Sequence, residues 1–186
     1  MVSRLVILKW ALAAAGIGLF AVLSWAVIDT GIHATGDHEF CTSCHSHKPI
    51  GTSYREDLHG GNNAVGWRAS CSDCHISHTN SLAYLWVKGV HGVVDPTMEL
   101  IKQPLEIDWH GNRENRSRYV FDSGCLNCHK YLQQTSEANA KAFLPHRKYF
   151  DKEESGLTCV GCHEHVGHKN LGTHLIDHGW EKKNEN

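Results

Sequence analysis

The sequence has few of the large apolar side chains that fill the interior of an ordinary globular domain. Its 186 residues include five Phe, five Tyr and two Met, and no long amphipathic repeat follows residue 30. A chain of this length forms one domain with a short appendage, which excludes a large multidomain enzyme. Because aliphatic side chains are scarce, another kind of group must fill the interior.

The chain also lacks a basic run. It carries 18 Lys and Arg against 20 Asp and Glu, a formal net charge of −2. No cluster of positive charge could neutralise a row of phosphates, so nucleic acid is not an expected partner. Cysteine and histidine are abundant instead, with eight and 16 residues. Both side chains bind metals or haem iron.

A long uncharged segment lies near the N-terminus, at residues 10–28. As a helix rising about 1.5 Å per residue, it spans roughly the 30 Å of a bilayer core. Arg4 and Lys9 precede it, so the positive-inside rule exports everything that follows. A cleaved signal peptide is the alternative, but the run is longer than a usual signal core and no clear cleavage site follows it. We predict a single-pass inner-membrane anchor over 1–30 and a periplasmic domain over 31–180.

All the cysteines fall into four copies of the motif Cys-x-x-Cys-His. Two thiols at this spacing form thioethers to the vinyl groups of haem c, and the adjacent His reaches the iron. Zinc ribbons have no use for the His, and redox disulfides would not recur four times in so small a domain. We therefore predict four covalently attached haem c groups. The attachment cysteines are Cys41, Cys44, Cys71, Cys74, Cys125, Cys128, Cys159 and Cys162, and the proximal iron ligands are His45, His75, His129 and His163.

The motifs form two similar dihaem halves, 41–78 and 125–168, on either side of an insert at 79–124. In each half one His lies between the two motifs and another follows the second motif. A haem with two imidazoles is six-coordinate and exchanges electrons without binding substrate. The repeated positions predict the distal iron ligands His59, His78, His146 and His168.

The expected fold is mainly α: one N-terminal transmembrane helix and a small multihaem domain with little regular structure beyond short helices around the motifs. Haem faces would replace the missing aliphatic core. A helix over 131–143 is expected to end at Pro145. The polar tail at 181–186 is expected to be disordered.

The anchor, the four motifs and three further segments carry a resemblance to a known family. The segments are SYREDLHGGNNAVGWRASCSDCHISH at 53–78, GVVDPTMEL at 92–100 and TCVGCHEHVGHK at 158–169. Together they resemble the NapC/NirT family of membrane-anchored tetrahaem quinol dehydrogenases, which includes NrfH. The resemblance implies electron transfer from the membrane quinol pool to a periplasmic oxidoreductase or cytochrome acceptor, alone or in an assembly with its own copies or another protein. It also implies the same four distal histidines.

The first motif departs from this family. Many members have Met two residues after the motif His, where this chain has His47. If His47 binds the first iron, the first haem has a lower potential than with a thioether ligand, because imidazole donates more strongly to ferric iron. Menaquinol is then the expected donor. In the alternative, His47 is exposed and His45 binds iron.

The insert carries the candidate quinol site. Residues 82–101 are mostly apolar, which is typical of a segment lying against membrane lipid. Quinol oxidation needs an apolar slot and a group that accepts a proton from the hydroxyl. Asp95 is the leading candidate, because by resemblance it matches the family's Asp near the first haem, and Lys88 and His91 are secondary partners. Without the resemblance, Asp95 would be interpreted as the cap of a helix beginning at Pro96.

The sequence thus predicts a membrane-anchored tetrahaem cytochrome that oxidises quinol. A catalytic multihaem reductase is one alternative, but it needs an open haem site, and the supply of histidine ligands argues against that. A subunit that anchors a larger complex and relays electrons without oxidising quinol is the other.

Overall fold

The computed structural model describes residues 3–103 and 106–180. This part of the chain is helical and forms no β-strand, which confirms the mainly α prediction. The predicted polar tail at 181–186 lies outside the described residues. The α-helices are α1 Arg4–Ala34, α2 His38–Cys41, α3 Lys48–Glu56, α4 Cys71–His75, α5 Ser81–Ile101, α6 Trp109–Glu114, α7 Asp122–Cys128, α8 Leu132–Glu137, α9 Ala140–Phe150, α10 Cys159–Cys162 and α11 Leu171–Asp177, with short 3₁₀ helices at His45–His47 and Arg116–Arg118.

Helix α1 is the predicted anchor. Ser3 caps its first turn by accepting a hydrogen bond from the backbone N–H of Val6, and none of its residues is buried by the rest of the protein. Among the described helices it is the one long and apolar enough to cross a membrane. Its 31 residues extend about 46 Å at 1.5 Å per residue, more than a bilayer core requires.

Helix α5 is the longest helix of the insert. It begins at Asn80, whose side-chain oxygen accepts a hydrogen bond from the N–H of Ala83 at 2.9 Å, and it continues through Pro96. The alternative interpretation of Asp95 as a helix cap is therefore wrong, because the helix starts four turns earlier. Lys88 Nζ donates to the carbonyl oxygen of Thr35 at 2.7 Å. This bond joins α5 to the C-terminal end of α1, where a cation is favoured.

Helices α4 and α7 carry the second and third motifs and pack closely together. Ser70 caps α4 by accepting from the N–H of Asp73, whose carboxylate accepts from the N–H of Ser70 in return. The N–H of Phe121, just before α7, donates to the carbonyl oxygen of Cys74 at 3.0 Å. Gly124 permits this approach, because a Cβ on it would lie 2.0 Å from the carbonyl oxygen of Asp73.

The segment around Pro145 differs from the prediction. Instead of one helix over 131–143, α8 ends at Glu137 and α9 runs through Pro145 to Phe150. Asn139 starts the new helix, since its side chain accepts from the N–H of Lys141 at 3.0 Å. The expected helix end at Pro145 is wrong. A proline inside a helix costs one backbone hydrogen bond, and the Asn139 cap and the packing of α8 on α9 outweigh that cost.

The protein core is small, as the composition predicts. The buried apolar residues are Tyr54, Ala69, Ile76, Val160, Leu175 and Trp180. Helices α3 and α11 pack against each other, and Ser53 Oγ of α3 donates to the carbonyl oxygen of Lys169 at 2.8 Å. The space that aliphatic side chains would occupy elsewhere is instead a large cavity.

Candidate functional site

A cavity of about 2150 Å³ runs through the domain. Drug-sized ligands occupy pockets of about 300–1,000 Å³, so this cavity has room for several large planar groups. All eight cysteines of the four motifs line it. Eight thiols around one large cavity are the arrangement that covalent attachment of haem c requires.

The motifs lie along the cavity in chain order. Cys71 donates a thiol hydrogen bond to Cys41, which lowers the pKa of Cys41 and raises that of Cys71, so the first and second motifs touch. Burial and then the nearby Cys125 raise the pKa of Cys74 to about 12, which puts the second motif beside the third. A hydrogen bond from Cys159 lowers the pKa of Cys125 to about 7, so the third and fourth motifs also touch.

The third and fourth motifs are tied by Asp122, the first residue of α7. One carboxylate oxygen accepts from the backbone N–H of Cys159 at 2.9 Å, and the other accepts from the Tyr149 hydroxyl at 2.8 Å. Burial and the bond to Asp122 raise the pKa of Tyr149, so its phenol stays protonated and donates. One carboxylate thus connects α7, α9 and the start of α10.

Three motif histidines each face a second imidazole across the cavity. The ring centres are 6.1 Å apart in the pair His75 and His168, 6.2 Å in His146 and His163, and 6.3 Å in His59 and His129. Imidazole nitrogens bind metal ions at about 2.0 Å, so two rings on opposite faces of one iron have centres about 6 Å apart. The gap in each pair fits one haem iron.

Two of the facing imidazoles have further properties that suit an iron ligand. The Nδ1 atom of His146 is buried and has no hydrogen-bond partner among the described residues. Burial, and then the nearby ring of His75, lower the pKa of His168 to about 4. A neutral imidazole is the form that binds iron, so His168 is in the required state.

Two predicted ligands lie elsewhere. The ring of His78 packs edge-on against Tyr84, and its Nε2 lies 3.3 Å from the carbonyl oxygen of Ser72. The backbone N–H of His78 donates to Ser123 Oγ at 2.9 Å. His45 is exposed. Neither is among the described residues that line the cavity, whereas His47 is.

The predicted quinol-site residues share one face of α5 and line the cavity. His91 Nδ1 and Asp95 Oδ2 are 3.0 Å apart. Burial lowers the pKa of Lys88, whose ammonium is bound to the end of α1. Burial and then the charges of Glu99 and Asp95 raise the pKa of Cys44. This face of α5 therefore stands beside the first motif.

Glu99 lies one turn beyond Asp95 on the same face of α5 and was not predicted as a site residue. Its carboxylate accepts hydrogen bonds from the backbone N–H of Ser46 at 3.3 Å and from the Ser46 hydroxyl. Burial raises the pKa of Glu99, but these bonds outweigh burial and the net pKa is lowered, so the carboxylate stays charged. Its helical spacing from Lys88, His91 and Asp95 is the signal that could have found it.

Comparison with known proteins gives one family and several relatives. Residues 3–173 match the model described as "NapC/NirT cytochrome c family, N-terminal region". The chain is 33% identical over 154 residues to a putative tetraheme cytochrome-c type protein of Allochromatium vinosum, covering 79% of this chain and 81% of that protein. It is 28% identical over 163 residues to the cytochrome c-type protein NapC of Escherichia coli (strain K12), covering 80% and 76%.

A solved structure is also similar. It is the crystal structure of the cytochrome c nitrite reductase NrfHA complex bound to the HQNO inhibitor. The TM-score is 0.51 at 26% identity, and the match covers 83% of this chain and 90% of that one.

Proposed function

Because the chain belongs to the NapC/NirT cytochrome c family, we propose that it oxidises quinol at the outer surface of the inner membrane and passes the electrons along four haem c groups to a periplasmic reductase or cytochrome. The general features of this function follow from the family and from helix α1. The chain is a single-pass membrane-anchored cytochrome that binds haem c covalently and transfers electrons. Arg4 and Lys9, on the N-terminal side of the span, favour the periplasmic orientation.

The facing imidazoles support a ligand assignment for three of the haems. In this assignment His168 completes the second haem, His59 the third and His146 the fourth, opposite the motif histidines that each one faces. Haem iron supplies one-electron redox chemistry, and two imidazole ligands leave no open position for substrate. These three haems therefore suit electron relay, which argues against a catalytic reductase.

The order of the motifs supplies a route. Contacts join the first motif to the second, the second to the third and the third to the fourth. The first motif stands beside α5 and the end of α1, which is the membrane side of the domain. Haems held by these motifs would carry electrons from the membrane side of the domain toward the partner.

The pair Asp95 and His91 carries the quinol part of the proposal. Oxidation of one quinol to quinone releases two electrons, taken one at a time by the haems, and two protons. The Asp95 carboxylate would accept the two hydroxyl protons one after the other, and His91, 3.0 Å away and partly exposed, would pass each one to the solvent before the next leaves. Lys88 holds this face of α5 against the end of α1, so the pair stays at the level where quinol arrives.

Anaerobic reduction by quinol tests the proposal. The full-length protein in detergent is mixed with a menaquinol analogue, and the reduced haem absorption is followed, with dithionite giving the full amplitude. Asp95→Asn should slow reduction at least about 100-fold, since a positioned general base contributes about 10²–10⁴-fold. HQNO, which is bound in the related NrfHA complex, should slow the wild-type reaction.

The matched control is Asp151→Asn, an exposed carboxylate at the end of α9, which should reduce at the wild-type rate. Equal rates for Asp95→Asn and wild type would contradict the assignment of the proton acceptor. Reduction of the wild type by dithionite alone would refute quinol oxidation and leave the anchor and relay role.

A further inference from the structure

The first motif differs from the others in its backbone. Helices α4, α7 and α10 each contain both cysteines of their motif. At the first motif, α2 ends at Cys41, and Cys44 caps the separate 3₁₀ helix His45–His47. The motif is divided between two helices, so His45 is not held in the position of the other motif histidines. Those three line the cavity and His45 does not.

His47 occupies the inward position instead. It lines the cavity, and its ring lies edge-on to Trp109 with centres 6.2 Å apart. One ligand atom from each of Cys44, His47 and Glu99 lies within 4.8 Å of the other two. Because Cys44 is an attachment cysteine of the first motif, this imidazole stands beside the place where the first haem is bound.

Hydrogen bonds determine which ring nitrogen of His47 is free. The Ser46 hydroxyl donates to the Glu99 carboxylate, which has no proton to give. The single hydroxyl proton of Ser46 is therefore used, and its oxygen accepts from Nδ1 of His47 at 3.1 Å. Nδ1 carries the ring proton, and Nε2 keeps the lone pair that binds metal.

We propose that His47, and not His45, is the imidazole ligand of the first haem, and that Ser46 and Glu99 are positioning residues that hold its Nε2 free for the iron. This inference rests on the proposed haem at the first motif. A carboxylate behind a ligating His fixes the ring and raises its basicity. The first haem then has a lower potential than a thioether ligand would give.

Exchange of the ligand type tests the inference in the full-length holoprotein. His47→Met should retain four covalent haems, add the ferric absorption band of one thioether-ligated haem, and shift one of the four haems to a higher midpoint potential. The matched control is His165→Met, the same exchange at the same offset from the fourth motif. There His163 already faces His146, so both readouts should match the wild type.

Glu99→Gln tests the positioning residues. It keeps the side-chain shape but removes the charge behind His47. The haem that shifts in His47→Met should shift to a higher potential here too, without the thioether band, and the other three haems should titrate as in the wild type. A shift spread over all four haems, or no shift, would remove Glu99 from the proposal.

Three results overturn the ligand assignment. They are a wild type with no haem on the first motif, a His47→Met protein with four haems and wild-type spectrum and potentials, and a thioether band in His45→Met. If His47→Met loses a haem, the variant His47→Gly is measured with and without added imidazole. A first haem that is low-spin without imidazole overturns the assignment. A first haem that is low-spin, or is retained, only when imidazole is added supports it. Failure of quinol reduction in the wild type leaves these readouts intact, so the two proposals fail separately.

Discussion

The contact at Gly124 allows a sharp prediction about how the second and third motifs are held together. A Cβ at this position would lie 2.0 Å from the carbonyl oxygen of Asp73 and 3.1 Å from its carbonyl carbon, where ordinary contacts begin at 3.4 Å. The obstacle is backbone inside the capped helix α4, so no side-chain rotation relieves it. In Gly124→Ala, α4 and α7 must separate by about 1 Å or more.

This separation has a measurable cost. Overpacking by one methyl group costs about 1–3 kcal/mol in the free energy of unfolding, and contact with rigid backbone places the expected value near 3 kcal/mol. For a chain of this size, each kcal/mol lowers Tm by about 2–4 °C, so Tm should fall by about 6–12 °C. The haems on the two helices also move apart, which should slow electron transfer between them.

Thermal unfolding followed by circular dichroism of the haem bands measures the change in Tm in detergent. The matched control is Gly89→Ala in α5, where a Cβ meets nothing within 4 Å. It should leave Tm unchanged or raise it slightly, since Ala is favoured over Gly in a helix by about 0.5–1 kcal/mol. A Gly124→Ala protein with four haems and the Tm of the wild type would refute the close packing of α4 on α7.

Two further substitutions test contacts that hold the site. Asp122→Ala leaves two partly buried donors without their acceptor. The free energy of unfolding should fall by about 2–4 kcal/mol, measured as a lower Tm. The control Asp151→Ala, at an exposed carboxylate, should not change Tm. Lys88→Met removes the bond from α5 to the end of α1 and should speed amide hydrogen exchange in the first half of α5, whereas Lys102→Met, at an exposed lysine, should not. Unchanged exchange in Lys88→Met would show that this bond does not hold α5 in place.

Local sequence patterns predicted the features that depend on neighbouring residues. The uncharged run predicted the anchor, which forms α1 and extends past the predicted boundary at residue 30 to Ala34. The scarcity of aliphatic residues predicted an interior filled by another group, and the cavity has the corresponding size. These inferences needed only composition and spacing.

Proline was a poor guide to helix boundaries in this chain. Pro96 suggested a helix start and Pro145 a helix end, yet each lies inside a helix. In both helices an Asn side chain caps the true start, at Asn80 and Asn139. A proline removes one backbone bond and leaves the others, so capping and tertiary packing, which the local sequence does not show, decide where the helix begins and ends.

Local sequence patterns could not predict which histidines face each other, because this depends on long-range packing. His59 faces His129 and His168 faces His75, so each pair joins one predicted half of the chain to the other. Spacing along the sequence predicted the four distal histidines but not the motif histidine that each one faces, and of the three pairs His146 and His163 alone lie within one half.

This crossing has a consequence for folding under the proposed ligand assignment. Two iron–imidazole bonds would link residues far apart in sequence, so neither half could complete its haem ligation alone. The apolar core is too small to hold the halves together by itself, and ligand bonds that form only in the folded chain contribute directly to folding free energy. The four-haem domain should therefore unfold as one unit, and loss of His59 or His168 should destabilise both halves rather than the one that contains it.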